Sequence, residues 1–327
     1  MFSDSDSPYP RSSVTDEDVE TFAEFIRRNP QIWDPEQVRR RYRHCGLPFI
    51  DDPFDPALAT RIVEALREGK PFSAIRIGDG EANIAGYKYY RETPSLNRHA
   101  LAASIGNRRD SFSPTEAWLD KLNALMNAAI ASADVVGVLG IWRTKRTTEI
   151  DLETIVDDFK KDYRGITGHI RGVDFLIRLA EDGRLNSKLI APAHFYFGLA
   201  QRLKTLLSAT EHLICITNRT DMVRKLQTQN PALKITHIPV GTVGRHGRNK
   251  HPHPVFLDEV RAQLPGQARG CLHLIGAGVW AELYCNWIKE NGGVAVDLGS
   301  GFDLLSGRLT RPVHRRMPRA LLDDIIL

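Results

Sequence analysis

From Phe72 onward the chain alternates two hydrophobic rhythms. Short runs rich in aliphatic and β-branched residues are "SAIRI" from Ser73, "DVVGVL" from Asp134, "SKLIAP" from Ser187, "HLICIT" from His212, "LKITHI" from Leu233, "CLHLIG" from Cys271 and "VAVDLG" from Val294. Between most of them lie stretches with apolar residues at helical spacing, over 114–131, 195–207, 221–227, 255–264 and 279–290. Apolar strands alternating with amphipathic helices predict a mostly parallel sheet covered on both faces. The fold class expected is α/β: a doubly wound, Rossmann-like sheet of about seven strands with a helical N-terminal extension. Ligands of such sheets bind beyond the carboxyl ends of the strands, so the residues following each strand carry the chemistry.

The first 70 residues have a different texture. "TDEDVETFAEFIRRNP" reads as a helix capped at Thr15 and ending before Pro30. "DPALATRIVEALREGK" reads as a second helix, capped by Asp55 with Pro56 at its first position. A Pro- and Arg-rich connector joins them. At the other end, "RLTRPVHRRMPR" from Arg308 to Arg319 holds five arginines and no acid. The organisation expected is a helical extension over 1–70, a catalytic domain over 71–307 and a basic tail over 308–327, solvated or strapped onto the acidic N-terminal segment.

Composition narrows the class only a little. The 327 residues are 42% apolar and 26% charged, and a net charge of +4 is too small to make nucleic acid the main partner. No run of eighteen apolar residues exists, and the N-terminus lacks a signal-peptide core. Cys45, Cys215, Cys271 and Cys285 are scattered with no CxxC pair, which fits free thiols in a reducing, cytoplasmic setting. The arginine-rich tail adds the expectation of peripheral contact with an anionic inner-membrane surface.

The first strand ends in "RIGDGE". Asp79 and Glu81 could offer two carboxylates to one hard cation, Gly78 lets the backbone turn, and Arg76 calls for an anionic partner. An ordinary Asp-Gly turn is the plain alternative. His194 follows the third strand, and Asn218 and Arg219 follow the fourth, at a helix start suited to an anion. The loop over 241–254, "GTVGRHGRNKHPHP", reads as a basic lid over a phosphate-bearing ligand; its histidines lack zinc spacing. Near the C-terminus Gly276, Gly278 and Ala281 satisfy G-x-G-x-x-A, with Asp297 about twenty residues on, followed by Ser300 and Asp303. That dinucleotide fingerprint has few residues left after it to complete a cofactor half-domain.

"RIGDGE" together with "GAG…YCNWIKENGGVAVDLGSGFDLLSG" resembles the GT-D-type glycosyltransferases, those with a DxE metal motif, from about Phe72 to about Gly307. "APAHFYF", "HLICITNR" and "IPVGTVGRHGRNKHPHPVF" fall in the order of that family's middle segments. The resemblance implies sugar transfer from a nucleotide-sugar donor to a glycan, glycoprotein or lipid-linked acceptor, aided by Mn²⁺ or Mg²⁺. It places Asp79 and Glu81 as the acidic metal pair, with Arg76 and Gly78 at the flanking positions. On the residues' own chemistry, Asn218, Arg219, Gly276, Gly278, Asp297 and Ser300 are donor-binding candidates. His194, Asp297 and Asp303 are candidate general bases, with His194 carried as catalytic beside Asp79 and Glu81. Two alternatives stay open: an NAD(P)-dependent oxidoreductase (or a methyltransferase) using the C-terminal glycine unit, and a non-catalytic sugar-nucleotide-binding protein.

Overall fold

The computed structural model describes residues 15–88, 116–139, 152–240 and 254–326 except 265 and 267. The basic loop over 241–253 and the acidic first fourteen residues lie outside them. All seven expected strands form: β1 Phe72–Ile77, β2 Val135–Val138, β3 Leu189–Pro192, β4 His212–Thr217, β5 Lys234–Pro239, β6 Leu272–Gly276 and β7 Val294–Asp297. They make one sheet in the order β3-β2-β1-β7-β6-β4-β5. The registers of β1 with β7, β7 with β6, β6 with β4 and β4 with β5 are all parallel. β2, β3 and β7 are buried along their whole length, as expected where helices cover both faces. The edge strand β5 is the exception and is exposed at both ends. The opposite edge, β3, is covered by a short extended segment: Ile50 N–H donates to Ile190 O (2.8 Å), and Ile190 N–H to Pro48 O (2.9 Å). This blunts an edge that would otherwise pair with other chains.

In chain order the helices are α1 Asp16–Arg28, α2 Pro35–His44, α3 Ala57–Glu68, α4 Asp79–Gly86, α5 Glu116–Ser132, α6 Leu152–Glu181, α7 Tyr196–Gln201, α8 Leu203–Ser208, α9 Thr220–Gln229, α10 Pro254–Gln263, α11 Ala281–Glu290, α12 Gly301–Leu305, α13 Pro312–Arg315 and α14 Arg319–Ile325. Thr15 and Asp18 form the capping box that starts α1, with bonds of 3.1 and 3.0 Å. Asp55 Oδ1 accepts from Ala57 N–H (2.7 Å) ahead of α3. The connector between these helices is not irregular. Asp34 caps α2 by accepting from Gln37 N–H (2.8 Å), and Val38 and Tyr42 form the buried stripe of this Arg-rich helix. Among the described residues no helix is long and apolar enough to cross a membrane. All four cysteines are free; Cys215 and Cys285 are buried, Cys45 and Cys271 half-buried.

The chain divides into two compact units that interleave along the sequence. One comprises Met1–Asp51, Arg76–Ala131 and Val136–Ala193; the other Asp52–Ile75, Ser132–Val135 and His194–Leu327. In the first, α6 is the organising element. Phe22 and Ile26 of α1 pack on Ile155, Phe159 and Ile170 of α6, with the Phe22 and Phe159 rings stacked at 4.0 Å. Arg41 of α2 makes a two-pronged pair with Glu181 at the other end of α6 (2.9 and 3.0 Å). In the second unit the C-terminal segment is folded, not a solvated tail. His314, Met317, Leu322 and Ile325 are buried, and Arg308 pairs with Asp221 of α9 (2.7 Å). The basic residues hid the apolar spacing that docks it.

Candidate functional site

In the first unit, "GDGE" is the start of a helix. Gly78 is the cap of α4, Asp79 its first residue and Glu81 its third. Glu81 folds back so that Oε2 accepts from Gly78 N–H (2.9 Å), while Gly78 O accepts from Ala82 N–H (3.0 Å). A Cβ at position 78 would lie 2.6 Å from Glu81 Oε2, so a larger residue there would shift the Glu81 side chain. Carboxylates in a first helical turn are favoured by the helix dipole. The spacing of Asp79 and Glu81 therefore has a local cause as well as a chemical use. Asp79 is exposed, and Glu81 and Arg76 are half-buried.

What fixes α4 was not legible in the acidic motif. A Cβ at Gly168 of α6 would lie 2.3 Å from Asp79 O and 2.6 Å from Asn83 Nδ2, and one at Gly172 would lie 2.2 Å from Ala82 Cβ. Two glycines one helical turn apart thus let α6 approach the backbone of α4. At the far end, Asn123 Nδ2 donates to Ile84 O (2.7 Å) and Ala85 O (3.0 Å), closing the C-terminus of α4. The signal lay in "GHIRG", Gly168 to Gly172, where the glycines look like helix breakers.

The donor set fits a hard divalent ion that keeps water or phosphate ligands. Asp79 offers an exposed carboxylate and Glu81 a half-buried one in the same first helical turn. Mg²⁺ commonly takes one or two carboxylates and leaves its other positions to waters and phosphates. No group of three or more His, Cys, Asp or Glu able to hold a metal occurs among the described residues.

In the second unit the ends of β4, β6 and β7 are tied together. Leu298 and Gly299 N–H both donate to Ile275 O (2.8 and 2.9 Å), fixing the turn after β7 against β6. Gly276 is needed for packing, since a Cβ there would lie 2.7 Å from the Phe302 ring. Gly278 is needed for conformation, at φ +59° with open space around it. A 3₁₀ turn over Gly278–Trp280 separates it from α11, whose first turn carries the buried Glu282. Arg219, half-buried beside Asn218, forms an ion pair through Nε with Asp303 Oδ1. Thr310 Oγ1 donates to Asp303 Oδ2 (2.7 Å). With both carboxylate oxygens so engaged, Asp303 is an anchor between Arg219 and the C-terminal segment rather than a base awaiting a proton. Asp297 is buried. Ser300 Oγ donates to Tyr196 OH (3.3 Å), which is 2.9 Å from Nε2 of the buried His314. His194 is half-buried, its ring 5.9 Å from that of Tyr196 and 5.6 Å from Phe197. The structure therefore links His194 to Ser300 through Tyr196, and Arg219 to the C-terminal segment through Asp303. Tyr196 and His314 were not foreseen; the one reads as core, the other as part of a basic tail.

Comparison with protein-family models, with curated proteins and with solved structures finds no match to this chain. The class defined here is thus one of fold: an all-parallel, doubly wound α/β sheet with an acidic helix start after β1 and glycine turns after β6 and β7.

Proposed function

We propose that the chain is a divalent-metal-dependent glycosyltransferase, moving a sugar from a nucleotide-sugar donor to a glycan, glycoprotein or lipid-linked acceptor. The observation that carries this reading is the exposed Asp79 carboxylate, with Glu81 two residues on in the same helical turn, at the start of a closely packed helix directly after β1. In the sheet order that strand is third from the β3 edge. In open α/β sheets ligands gather beyond the strands' carboxyl ends.

Asp79 and Glu81 would hold Mn²⁺ or Mg²⁺, which supplies Lewis-acid neutralisation of the charge left on a departing nucleoside diphosphate. Arg76, at the end of β1, adds fixed positive charge beside that turn. Asn218, Arg219 and the turns at Gly276, Gly278 and Ser300 are assigned to the donor nucleotide, Arg219 being aimed by Asp303. His194 is assigned to the acceptor hydroxyl as general base, a role that needs hydrogen-bond reach to that proton. Asp297 remains the second acid-base candidate.

The dinucleotide reading has less support. Its first glycine also has a packing role against Phe302, so the G-x-G-x-x-A spacing by itself does not call for a dinucleotide. Of the five tail arginines, Arg308 and Arg319 sit in ion pairs, leaving exposed Arg311, Arg315 and Arg316 for a peripheral contact with an anionic cytoplasmic membrane face. A thermal-shift panel of nucleoside diphosphates, nucleotide sugars and NAD, with and without Mn²⁺, tests the assignment. Stabilisation by a nucleotide sugar in Mn²⁺ supports it, and stabilisation by NAD alone overturns it.

A further inference from the structure

The amino ends of β4, β5 and β6, opposite the ends that carry Asn218, Arg219 and Gly276, hold a second cluster of reactive side chains. His212 opens β4 and stands in register with Lys234, which opens β5. Leu213 is in register with Leu272, so the residue before β6, Cys271, stands beside His212. Cys271 Sγ lies 3.7 Å from His212 Nδ1, and His212 Nε2 lies 2.8 Å from Thr236 Oγ1. When Nε2–H donates to the Thr236 hydroxyl, Nδ1 is left as the acceptor facing the thiol. A nucleophile, a base and a group that orients the base are thus in line. Thr210 Oγ1 fixes the approach, 2.9 Å from both Gly270 O and His212 O. A side chain at Gly270 would meet open space, so the strand entrance is uncluttered there. Lys234 and Arg269 are exposed.

We propose that Cys271 is a covalent modification site, reacting by thiol–disulfide exchange with small anionic disulfides, with His212 as its base. The Cys271 S–H proton passes to His212 Nδ1 while the sulfur attacks one sulfur of the disulfide. The S–S bond breaks as the new one forms, and the other half leaves as a thiolate that the imidazolium can protonate. Anionic disulfides are favoured because Lys234 is the exposed cation acting on both Cys271 and His212. Burial holds the resting thiol above its ordinary pKa, with Lys234 opposing, and holds His212 below its own. The resting pair is therefore neutral and the proton moves only as the electrophile arrives, which makes the adjacent base decisive. The other thiols sit in different surroundings. Cys215 is enclosed and pushed up to about 12 by burial. Cys285 is enclosed, with its Sγ 3.9 Å from Ala74 O. Cys45 is half-buried and pushed up by burial and by the negative charge of Glu181.

The test treats the full chain with oxidised glutathione and, separately, with cystamine, a cationic disulfide, and follows each cysteine by peptide mass mapping. The expected result is labelling of Cys271 ahead of Cys45, and faster with oxidised glutathione than with cystamine. In His212→Phe, which keeps the bulk but removes the base, the Cys271 rate falls about tenfold or more while the Cys45 rate holds. Thr236→Val, which unseats the tautomer without touching the thiol, slows Cys271 in the same direction and serves if His212→Phe does not fold. Cys271 labelling no faster than Cys45, or a Cys271 rate unmoved by both variants, overturns the site. Faster reaction with cystamine overturns the preference for anionic disulfides.

Discussion

Glu81 answers two demands with one carboxylate: Oε2 caps α4 through Gly78 N–H, and the same carboxylate is assigned to the metal. Removing the side chain therefore confounds structure with chemistry. Glu81→Ala should lose about 1 kcal/mol of capping, whereas Glu81→Gln keeps a carbonyl oxygen for Gly78 N–H. Asp79 is exposed and gives the cleaner experiment. Asp79→Asn leaves the Glu81 cap on Gly78 N–H in place. Metal-dependent turnover should be lost in Asp79→Asn and Glu81→Gln alike; full activity in either would remove the metal assignment. A second residue sets acid sensitivity. Burial depresses the pKa of His273 from 6.5 to about 4, against the bond its Nδ1 makes with the Val294 carbonyl. The unfolded chain then binds the extra proton between pH 6.5 and 4, so the stability from a neutral His273 is complete above the upper value and lost as pH falls toward the lower. Chemical denaturation from pH 7 to 4 should show this decline, and His273→Gln should flatten it. An equal slope in the variant would count against His273 as its source.

Among the elements, α4 and α6 show where the sequence stops being readable. All seven strands and α1, α3 and the helices after β3, β4 and β6 were legible, because each carries a run or spacing of apolar residues bounded by turn chemistry. α6, 30 residues long, was not: Gly168 and Gly172 look like breakers, and their use as contact surface exists only once α4 is beside them. α4 was hidden for the opposite reason, its first turn being made of turn residues. The packing predicts an inverted sign. Gly→Ala inside a helix ordinarily gains about 1 kcal/mol, but Gly168→Ala would force a methyl against Asp79 O, and overpacking of that kind costs about 1–3 kcal/mol. Thermal unfolding should show a lower Tm, and Mn²⁺ titration a weaker apparent affinity as Asp79 is displaced. A Tm at or above wild type would show that the two helices do not meet this closely. α13 and α14 were hidden by charge, since five arginines masked the stripe of His314, Met317, Leu322 and Ile325.

At the level of the whole chain, that C-terminal segment is part of the second unit's architecture. It reaches Ser300 through His314 and Tyr196, and Asp303 through Thr310. Each of its buried apolar side chains is worth roughly 1.5–3 kcal/mol. A chain ending at Gly307 should therefore melt markedly lower and be cut faster by protease; an unchanged Tm would mean that the segment is dispensable. The candidate site was legible only in part. Asp79, Glu81, Arg219 and the glycine turns stand out by residue type at strand ends. The contacts that aim them do not: no local pattern announces Tyr196 or Asn123, and Asp303 stood out as a candidate base rather than as the anchor of Arg219. The claim that binds these parts is that Asp79 makes nucleotide binding depend on a divalent ion. The most direct measurement compares the Tm of wild type and Asp79→Asn across nucleoside diphosphates and nucleotide sugars, each with Mn²⁺ and with chelator. At least one nucleotide should raise the wild-type Tm in Mn²⁺ only, with the rise absent in Asp79→Asn. A rise that survives both chelator and Asp79→Asn, or none across the panel, would contradict that claim.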